Sequence, residues 1–400
     1  MLCRRVCAAR FKYLEVCVKK IRPYVKDFVK RADMVLLAMC IVCALFGIVV
    51  ISSASSALDD GPVRYVLVQS ISLIIGIVLF VLLTIIDLDV FAEKWMVLIV
   101  LEVAFMLLLL TPLGYADNTG NRAWLRFGPM GVQPTEVIKI AFIIAMAKHM
   151  SYLKNYKNIN SPMSILQLIV HCGFIIGVIV AISKDIGSAL VFLFIFIIML
   201  FCAGVKLYWF LFGLAAAAAV TPFVWTKVLN QRYRDRILCP YDMSIDPSGF
   251  GIRWQWNQSR LALASGQLTG TGLYNGQQTQ SRALPEAHTD FIFSVIGEEL
   301  GMIACVFVFL MLLAIIARCI YIGVKSQNTL SMLVCMGAAG SLIFQTLENI
   351  GMCIGIAPII GITLPFISYG GSSMFSLLAL MGIVSGVKYR PKPERFRSYR

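Results

Sequence analysis

The chain consists of long apolar runs separated by short polar segments. Runs of about 20 apolar residues recur along it, and a run of that length can cross a bilayer as a helix. Ten spans are predicted, at 34–52, 65–86, 95–113, 132–150, 163–182, 186–204, 208–225, 291–316, 330–357 and 365–387. The expected fold class is therefore an all-α polytopic membrane protein of about ten transmembrane helices, with a large extracytoplasmic loop at 226–290 between helices 7 and 8.

Composition supports this class. The sequence is 59% hydrophobic and only 14% charged, which excludes an ordinary soluble domain. Its net charge of +14 does not indicate nucleic acid as a partner, because the basic excess lies mostly in the two terminal segments and no aromatic-interleaved basic domain accompanies it. Anionic lipid at the membrane surface accounts for the charge.

The flanking charges predict the orientation and the domain limits. Residues 1–31 carry ten Lys and Arg side chains, and residues 389–400 add further basic residues. By the positive-inside rule both termini are expected in the cytoplasm, which agrees with an even number of spans. We interpret 1–31 as a retained basic arm rather than a signal peptide, 32–388 as the membrane domain and 389–400 as a basic tail.

Three polar segments fall on the outer face in this topology: the loop containing Arg122 and Trp124, the link 183–186, and the loop 226–290. The long loop interleaves arginines with aromatic residues. One interpretation is a solvated or headgroup-facing loop. The other is a site for an anionic, sugar-bearing or lipid-linked ligand, because guanidinium groups match phosphate oxygens.

Ionisable residues also lie within the predicted spans. Glu136 and Lys139 are spaced i, i+3 near the outer end of span four and can form an ion pair. Either the pair fixes helix packing, or Lys139 supplies a cation to a phosphate while Glu136 orients it. Structural pairing or helix-end solvation is expected for four further acids, Glu102, Glu298, Glu299 and Glu348.

Three titratable residues, Glu286, His288 and Asp290, precede span eight. Ionisable groups at such a position are costly and usually serve chemistry or transport, so Asp290 is the first candidate for a catalytic residue. The alternative is that Thr289 or Asp290 caps the helix that follows.

Other motifs carry less information. The Gly-rich stretch 265–276 lacks the pattern of a nucleotide loop, and close backbone approach to a ligand or to the bilayer is an alternative to simple turns. Cys239 has no partner among predicted external cysteines, so a disulfide framework is not expected. The sequence requires no metal or other cofactor, and the use of a divalent cation stays open.

Several motifs in the same order resemble the SEDS family of peptidoglycan glycosyltransferases (FtsW/RodA/SpoVE), over Asp33 to about Lys388. The matching stretches are Asn121–Trp124, Gln133–Lys139, Lys184–Leu190, Gln255–Gly266, Leu284–Phe293, Gly297–Gly301, Asn349–Gly351 and Leu364–Ser373. Small departures from the family pattern occur at Thr135, Lys184 and Gln267. None of them removes a charged position assigned to catalysis.

The resemblance implies polymerisation of lipid II, a disaccharide-peptide on undecaprenyl pyrophosphate, at the outer face of the bacterial cytoplasmic membrane. It implies that Asp290 is the essential acid, acting as base in an inverting glycosyl transfer. It also implies a class B penicillin-binding protein transpeptidase as partner, with other division or elongation membrane proteins. Candidate substrate-binding residues are Lys139, Glu136, Arg122, Trp124, Lys184, Glu286, His288, Gln258, Ser259 and Arg260.

Two other functions are compatible with the residues considered without the family resemblance. A transporter of lipid-linked sugar would explain spans with buried charges, but the polar motifs cluster at one face and no inverted repeat is evident. A non-catalytic scaffold of the division or elongation complex would leave Asp290 and Lys139 unexplained. The sequence leaves open whether the chain is a division, elongation or sporulation member.

Overall fold

The computed structural model describes residues 26–59, 61–115, 122–127, 130–228 and 230–390. Most of the predicted basic arm and tail, at 1–25 and 391–400, lies outside the described residues. The helices are α1 Met34–Ala54, α2 Gly61–Ile85, α3 Leu88–Glu93, α4 Trp95–Leu107, α5 Pro134–Tyr156, α6 Pro162–Ser183, α7 Ile186–Ala203, α8 Leu207–Phe223, α9 Gln231–Leu238, α10 Trp254–Ser265, α11 Gln277–Gln280, α12 Ile292–Lys325, α13 Thr329–Ile354 and α14 Gly371–Tyr389.

The helices coincide with the predicted spans. Within the described residues, 8 helices are long and apolar enough to cross a membrane. The two remaining predicted spans correspond to α4, which a 3₁₀ turn at Leu108–Leu110 extends, and to α5, whose charged residues lower its hydropathy. The all-α polytopic class is confirmed.

The ends of the last three spans differ from the prediction. Helix α12 continues to Lys325 and is interrupted at Gly301, whose φ of 77° and ψ of −178° are not helical. Helix α13 ends at Ile354, where Gly355 adopts a left-handed φ of 96°, and α14 begins only at Gly371. Two prolines, Pro358 and Pro365, lie between them. Residues 355–370 are therefore an irregular segment rather than the short connection that the spans predicted.

A small antiparallel sheet, absent from the prediction, precedes α5. Its strands are β1 Gly114–Tyr115, β2 Trp124–Phe127 and β3 Met130–Val132, in the order β1-β2-β3. Arg126 lies over the ring of Tyr115, with 4.2 Å from the guanidinium carbon to the ring centroid. Strand pairing with Tyr115 thus holds Trp124, and Arg122 lies two residues before it.

The cytoplasmic ends predicted for three helices are joined by one buried carboxylate. Asp33 caps α1 by accepting from the backbone N–H of Leu36. The same carboxylate accepts from Arg318 of α12 at 2.8 Å and lies 3.2 Å from the ammonium of Lys388 on α14. Because the carboxylate is fully buried, these partners are needed to offset its desolvation.

The Gly-rich stretch packs on the break in α12. A Cβ on Gly266 would lie 1.8 Å from the carbonyl oxygen of Gly297, and one on Gly301 would lie 2.4 Å from the backbone nitrogen of Gly270. The glycines therefore permit backbone-to-backbone contact within the protein. Of the two earlier alternatives, close approach is correct, but the partner is the broken helix rather than a ligand or lipid.

The four acids expected to be structural divide into two groups. Glu298 accepts from the backbone N–H groups of Gln278 and Thr279 at 2.7 and 3.0 Å, and Glu299 accepts from Ser53 at 2.6 Å. Pairing is confirmed for both. Among the described residues, both carboxyl oxygens of Glu102 lack a hydrogen-bond partner, so the predicted pairing was wrong for Glu102. Oε1 of Glu348 also lacks a partner among them.

Candidate active site

Asp290 lies directly before α12, in a turn rather than in the helix. Its backbone N–H donates to the carbonyl of Glu286 at 3.1 Å, and the N-cap position belongs to Phe291. No side chain caps α12, so the alternative in which Thr289 or Asp290 serves as the cap is wrong. The carboxyl group of Asp290 is therefore not used to satisfy a helix end.

The turn is held in place by Asn349 of α13. The Asn349 amide donates to the carbonyl of Asp290 at 2.8 Å and to the carbonyl of Ile362 at 2.7 Å. Next to Ile362, Gly361 has a φ of 79°, and a Cβ on it would lie 3.3 Å from Oδ2 of Asp290. The irregular segment 355–370 thus forms one wall of the site, and the absence of a side chain at Gly361 leaves the Asp290 carboxyl group accessible from that side.

Glu286 and His288 lie on the same turn in different environments. Glu286 is exposed and accepts from the hydroxyl of Thr289 at 3.0 Å. The His288 ring packs against Tyr65 and Tyr369, with ring centroids 5.0 and 5.6 Å apart. Burial lowers the pKa of His288, and the charge of Glu286 opposes this effect. His288 is therefore neutral near pH 7 and contributes packing at the site.

The electrostatic environment favours the protonated form of Asp290. Desolvation, followed by the negative charges of Glu286 and Asp185, raises the pKa of Asp290 to about 7, while the positive charge of Arg236 acts in the opposite direction. A carboxyl group whose pKa lies near neutrality is suited to accept a proton in a reaction near pH 7. Two carboxylates and one arginine therefore act on Asp290 electrostatically.

Asp185 connects this site with the start of α5. It caps α7 by accepting from the backbone N–H of Ser188 at 3.0 Å, and its Oδ2 accepts from the Ser188 hydroxyl at 2.6 Å. The same hydroxyl oxygen lies 3.2 Å from the hydroxyl oxygen of Thr135, and Gln133 donates to Asp185 at 3.3 Å. The first turn of α5 is in this way fixed to a residue whose charge acts on Asp290.

The predicted ion pair of α5 is present. Lys139 Nζ lies 2.9 Å from Glu136 Oε2, and the two side chains are 1% and 10% exposed. Glu136 follows Thr135 directly, so the pair lies just below the Asp185 network. The burial of Lys139 favours the first of the two interpretations, an ion pair that fixes packing.

The remaining predicted residues fall into two sets. Arg122 and Lys184 are exposed, and Trp124 is half-buried in strand β2. Lys184 has a left-handed φ of 57° at the end of α6, next to Asp185. Along the chain, Arg122 and Trp124 precede α5, and Lys184 directly precedes the N-cap of α7.

The second set lies on α10 and serves packing. Ser259 is fully buried and bonded to the hydroxyl of Ser294 at 2.6 Å and to the carbonyl of Cys353 at 2.9 Å. Gln258 is also buried, and the Arg260 guanidinium lies 5.3 Å from the ring centroid of Trp256. Direct contact with substrate, which we predicted for all three, does not fit the buried and bonded Ser259.

A cavity of about 390 Å³ adjoins the turn that carries Asp290. It lies between α9 and α10, and Arg236, Phe250, Trp254, Gln255, Pro285 and Ile359 are among the residues that line it. Pro285 precedes Glu286, and Ile359 lies two residues before Gly361. The cavity therefore reaches both chain segments that flank Asp290.

Three important residues were not among the predicted site residues: Arg236, Asp185 and Asn349. Asp185 and Asn349 lie inside the motifs and Arg236 in the long basic loop, but the sequence prediction assigns site roles to Lys184, the neighbour of Asp185, and to Arg260 of the same loop as Arg236. The N-cap position before a span is a signal for Asp185, and Asn349 is, with Gln345, one of two buried amides within an apolar helix. Only the fold shows that Arg236 is the arginine of the long loop whose charge acts on Asp290.

Replacement of Asn349 by leucine tests its role in positioning. Two buried carbonyls would each lose a donor, and the turn that carries Asp290 would be free to shift. A displacement on the order of 1 Å at a reacting group costs about 100-fold in rate, so we expect that loss in a transferase assay of Asn349→Leu. Asn155→Leu, at an exposed position of α5, is the matched control. Equal losses in both variants would contradict the role.

Comparison with known proteins agrees with the fold and with the family resemblance of the motifs. A family model, FtsW/RodA/SpoVE, described as "Cell cycle protein", matches residues 33–392. A probable peptidoglycan glycosyltransferase FtsW from Geobacter sp. (strain M18) is 34% identical over 373 residues, which cover 90% of this chain and 98% of the relative. Peptidoglycan glycosyltransferase MrdB from Escherichia coli (strain K12) is 33% identical over 274 residues, or 68% and 72% of the two chains.

Solved structures show the same arrangement. One chain, from a study of how a peptidoglycan synthase complex coordinates polymerization and crosslinking, aligns with a TM-score of 0.74 and 27% identity over 89% of this chain and 97% of its own length. The rod shape determining protein RodA of Thermus thermophilus aligns with a TM-score of 0.64 and 25% identity, over 89% and 96%.

These similarities confirm the enzyme class predicted from the motifs, because the two relatives bear the name of that activity. The match covers the turn that carries Asp290, the Asp185 network and the segment 355–370, so the candidate site described above lies wholly within it. The chain is a multi-pass membrane protein that belongs to the FtsW/RodA/SpoVE family of peptidoglycan glycosyltransferases.

Proposed function

We propose that this chain polymerises lipid II into glycan strands at the outer face of the bacterial cytoplasmic membrane, with both of its termini in the cytoplasm. The observation that carries the proposal is the Asp290 carboxyl group, which no helix end uses and whose pKa is raised to about 7. Such a group can accept a proton near neutral pH.

The reaction is an inverting substitution. Asp290 takes the proton of the acceptor 4-hydroxyl while that oxygen forms a bond to the anomeric carbon of the donor sugar. The bond from this carbon to the pyrophosphate oxygen breaks, and undecaprenyl pyrophosphate leaves with the electron pair. The product is a β-1,4 link, and the proton remains on the Asp290 carboxyl group until it passes to water.

The leaving pyrophosphate needs cations near it. Lys184 and Arg122 are exposed and belong to the segments that border α5 and α7. Lys139 is almost fully buried against Glu136, so we assign it to holding the start of α5 in place. No step of this proposal requires a metal ion or another cofactor.

A partner follows from the solved neighbour, whose title describes a peptidoglycan synthase complex that joins polymerization to crosslinking. We propose that the present chain works with a class B penicillin-binding protein transpeptidase, together with other division or elongation membrane proteins. A crosslinking partner would act on the strand as it leaves the outer face.

A single assay separates this function from lipid transport. The purified full-length protein is reconstituted into proteoliposomes with fluorescent lipid II, and both glycan polymer and lipid II movement between leaflets are measured. We expect polymer from the purified protein. Movement of lipid II between leaflets without any polymer would overturn the proposal.

The pH dependence of the rate tests the role of Asp290 as base. Its pKa is about 7, and only the deprotonated carboxylate accepts a proton, so the rate should rise with pH and level off above about 7. Removing the negative charge of Glu286 lowers the pKa of Asp290. Glu286→Gln should therefore shift the midpoint of the profile to lower pH, measured as initial polymerisation rate.

The control for this profile is Asp242→Asn, at an exposed position of the same loop. It should leave the midpoint unchanged. Burial holds the pKa of His288, the other titratable residue of the turn, below the usual histidine value. A flat profile between pH 5.5 and 8.5, roughly one and a half units either side of that pKa, would exclude Asp290 as the base.

A further inference from the structure

The residues that line the cavity beside the Asp290 turn indicate which kind of ligand it binds. Phe250 and Trp254 stack on each other with ring centroids 5.4 Å apart and an interplanar angle of 23°, and both line the cavity. Phe250 is 77% exposed. Aromatic surface left open beside a cavity is suited to cover the apolar C–H face of a pyranose ring, because the electron-rich ring face attracts those hydrogens.

The wall behind these rings is rigid. The guanidinium groups of Arg253 and Arg260 both lie near the buried Trp256 ring, at 5.7 and 5.3 Å from its centroid. A Cβ on Gly355 would lie 2.6 Å from the Trp256 ring, so the segment 355–370 packs directly on it. The cavity is thus preformed between the long loop and the segment that also borders Asp290.

The charge of the cavity argues against a phosphate ligand. Arg236 is the cation that lines it, and the charge of Arg236 already acts on Asp290. A pyrophosphate ester carries at least about two negative charges and would be drawn to a site with several free cations. An uncharged sugar needs no more than this one lining cation, and Gln255, which also lines the cavity, offers an amide for its polar substituents.

The position of the cavity indicates which of the two reacting sugars, donor or acceptor, it binds. The base must contact the acceptor hydroxyl, and the cavity reaches the segments on both sides of Asp290 through Pro285 and Ile359. The donor sugar is joined to its pyrophosphate, which is expected near Lys184 and Arg122. The volume of about 390 Å³ lies within the usual range of roughly 300–1,000 Å³ for small-molecule sites.

We propose that this cavity, lined by Phe250, Trp254, Gln255 and Arg236, binds the non-reducing terminal acetamido sugar of the acceptor and presents its hydroxyl to Asp290. The inference rests on the proposed function, because it names the acceptor subsite of that same reaction. Trp254 and Phe250 supply the stacking surface, and Trp256 with its two arginines fixes the wall.

The experiment measures sugar binding and catalysis separately. The probe is the soluble disaccharide N-acetylglucosaminyl-N-acetylmuramic acid, added to the full-length protein in nanodiscs and followed by saturation-transfer NMR. We expect saturation transfer from wild type and from Asp290→Asn, its loss in Trp254→Leu and its recovery in Trp254→Phe. In polymerisation, the KM for lipid II should rise about 10-fold in Trp254→Leu with a smaller change in kcat.

The matched control is Phe212→Leu, an aromatic residue 67% exposed on α8 and remote from the cavity, which should bind and polymerise as wild type does. Thermal melting of each variant checks folding. Unchanged disaccharide binding in a folded Trp254→Leu overturns the inference, as does competition of inorganic pyrophosphate with the disaccharide. Failure of the proposed function would instead appear as absence of polymer from wild type, whatever the disaccharide binding.

Discussion

Replacement of Asp290 by asparagine is expected to abolish glycan polymerisation. Asparagine has nearly the same shape but cannot accept the proton of the acceptor hydroxyl, and loss of a general base costs about 100-fold or more in rate. The backbone hydrogen bonds of residue 290 to Glu286 and Asn349 do not involve the carboxyl group, so the turn should persist. The measurement is polymer formed from lipid II by purified protein in proteoliposomes.

Asp242→Asn is the matched control, since it removes an exposed carboxylate from the same loop and should retain wild-type polymerisation. Thermal melting and membrane insertion should be the same in both variants. Full polymerase activity in Asp290→Asn would eliminate this residue as the base.

Breaking the Glu136–Lys139 pair should give the second largest effect. Either Lys139→Ala or Glu136→Ala leaves one buried charge without its partner, and such a change costs about 3–5 kcal/mol. The start of α5, and with it the Thr135–Ser188–Asp185 network, should lose its order. We expect similar falls in thermal stability and in polymerisation rate from the two variants.

A variant with both residues replaced tests whether Glu136 and Lys139 act as one ion pair or have separate roles. If the residues act together, Glu136→Ala combined with Lys139→Ala should be no worse than either single change, because no unpaired charge remains. Lys154→Ala, at an exposed position of the same helix, should leave stability and rate unaffected. Additive and unequal losses would show that Lys139 has a function of its own, such as binding phosphate.

The membrane helices could be predicted because span length and charge follow directly from the bilayer. The ends of α12 and α13 could not, because both depend on tertiary contacts. Gly301 interrupts α12 where the Gly-rich stretch packs on it, and nothing in the hydropathy of residues 291–316 marks that position. Segment 355–370 is apolar enough to resemble helix, yet Gly355 and two prolines end α13 early.

The site was predicted in part. Asp290 stood out because a carboxyl group next to lipid is costly, and Glu136 with Lys139 followed from helical spacing. Residues that act through contacts across the bundle were missed. Asn349 binds carbonyls of residues 290 and 362, which are distant in sequence from it and from each other, and Arg236 was one of several arginines in its loop.

The break in α12 bears on the depth at which Asp290 lies. The uninterrupted part of the helix, from Met302 to Lys325, rises about 35 Å at 1.5 Å per residue, whereas the hydrocarbon core is about 30 Å thick. The piece before Gly301 can therefore lie towards the headgroup layer, and Asp290 with it. In the proposed reaction, the pyrophosphate of a lipid-linked sugar would be reached at that depth while its polyprenyl chain remains among the acyl chains.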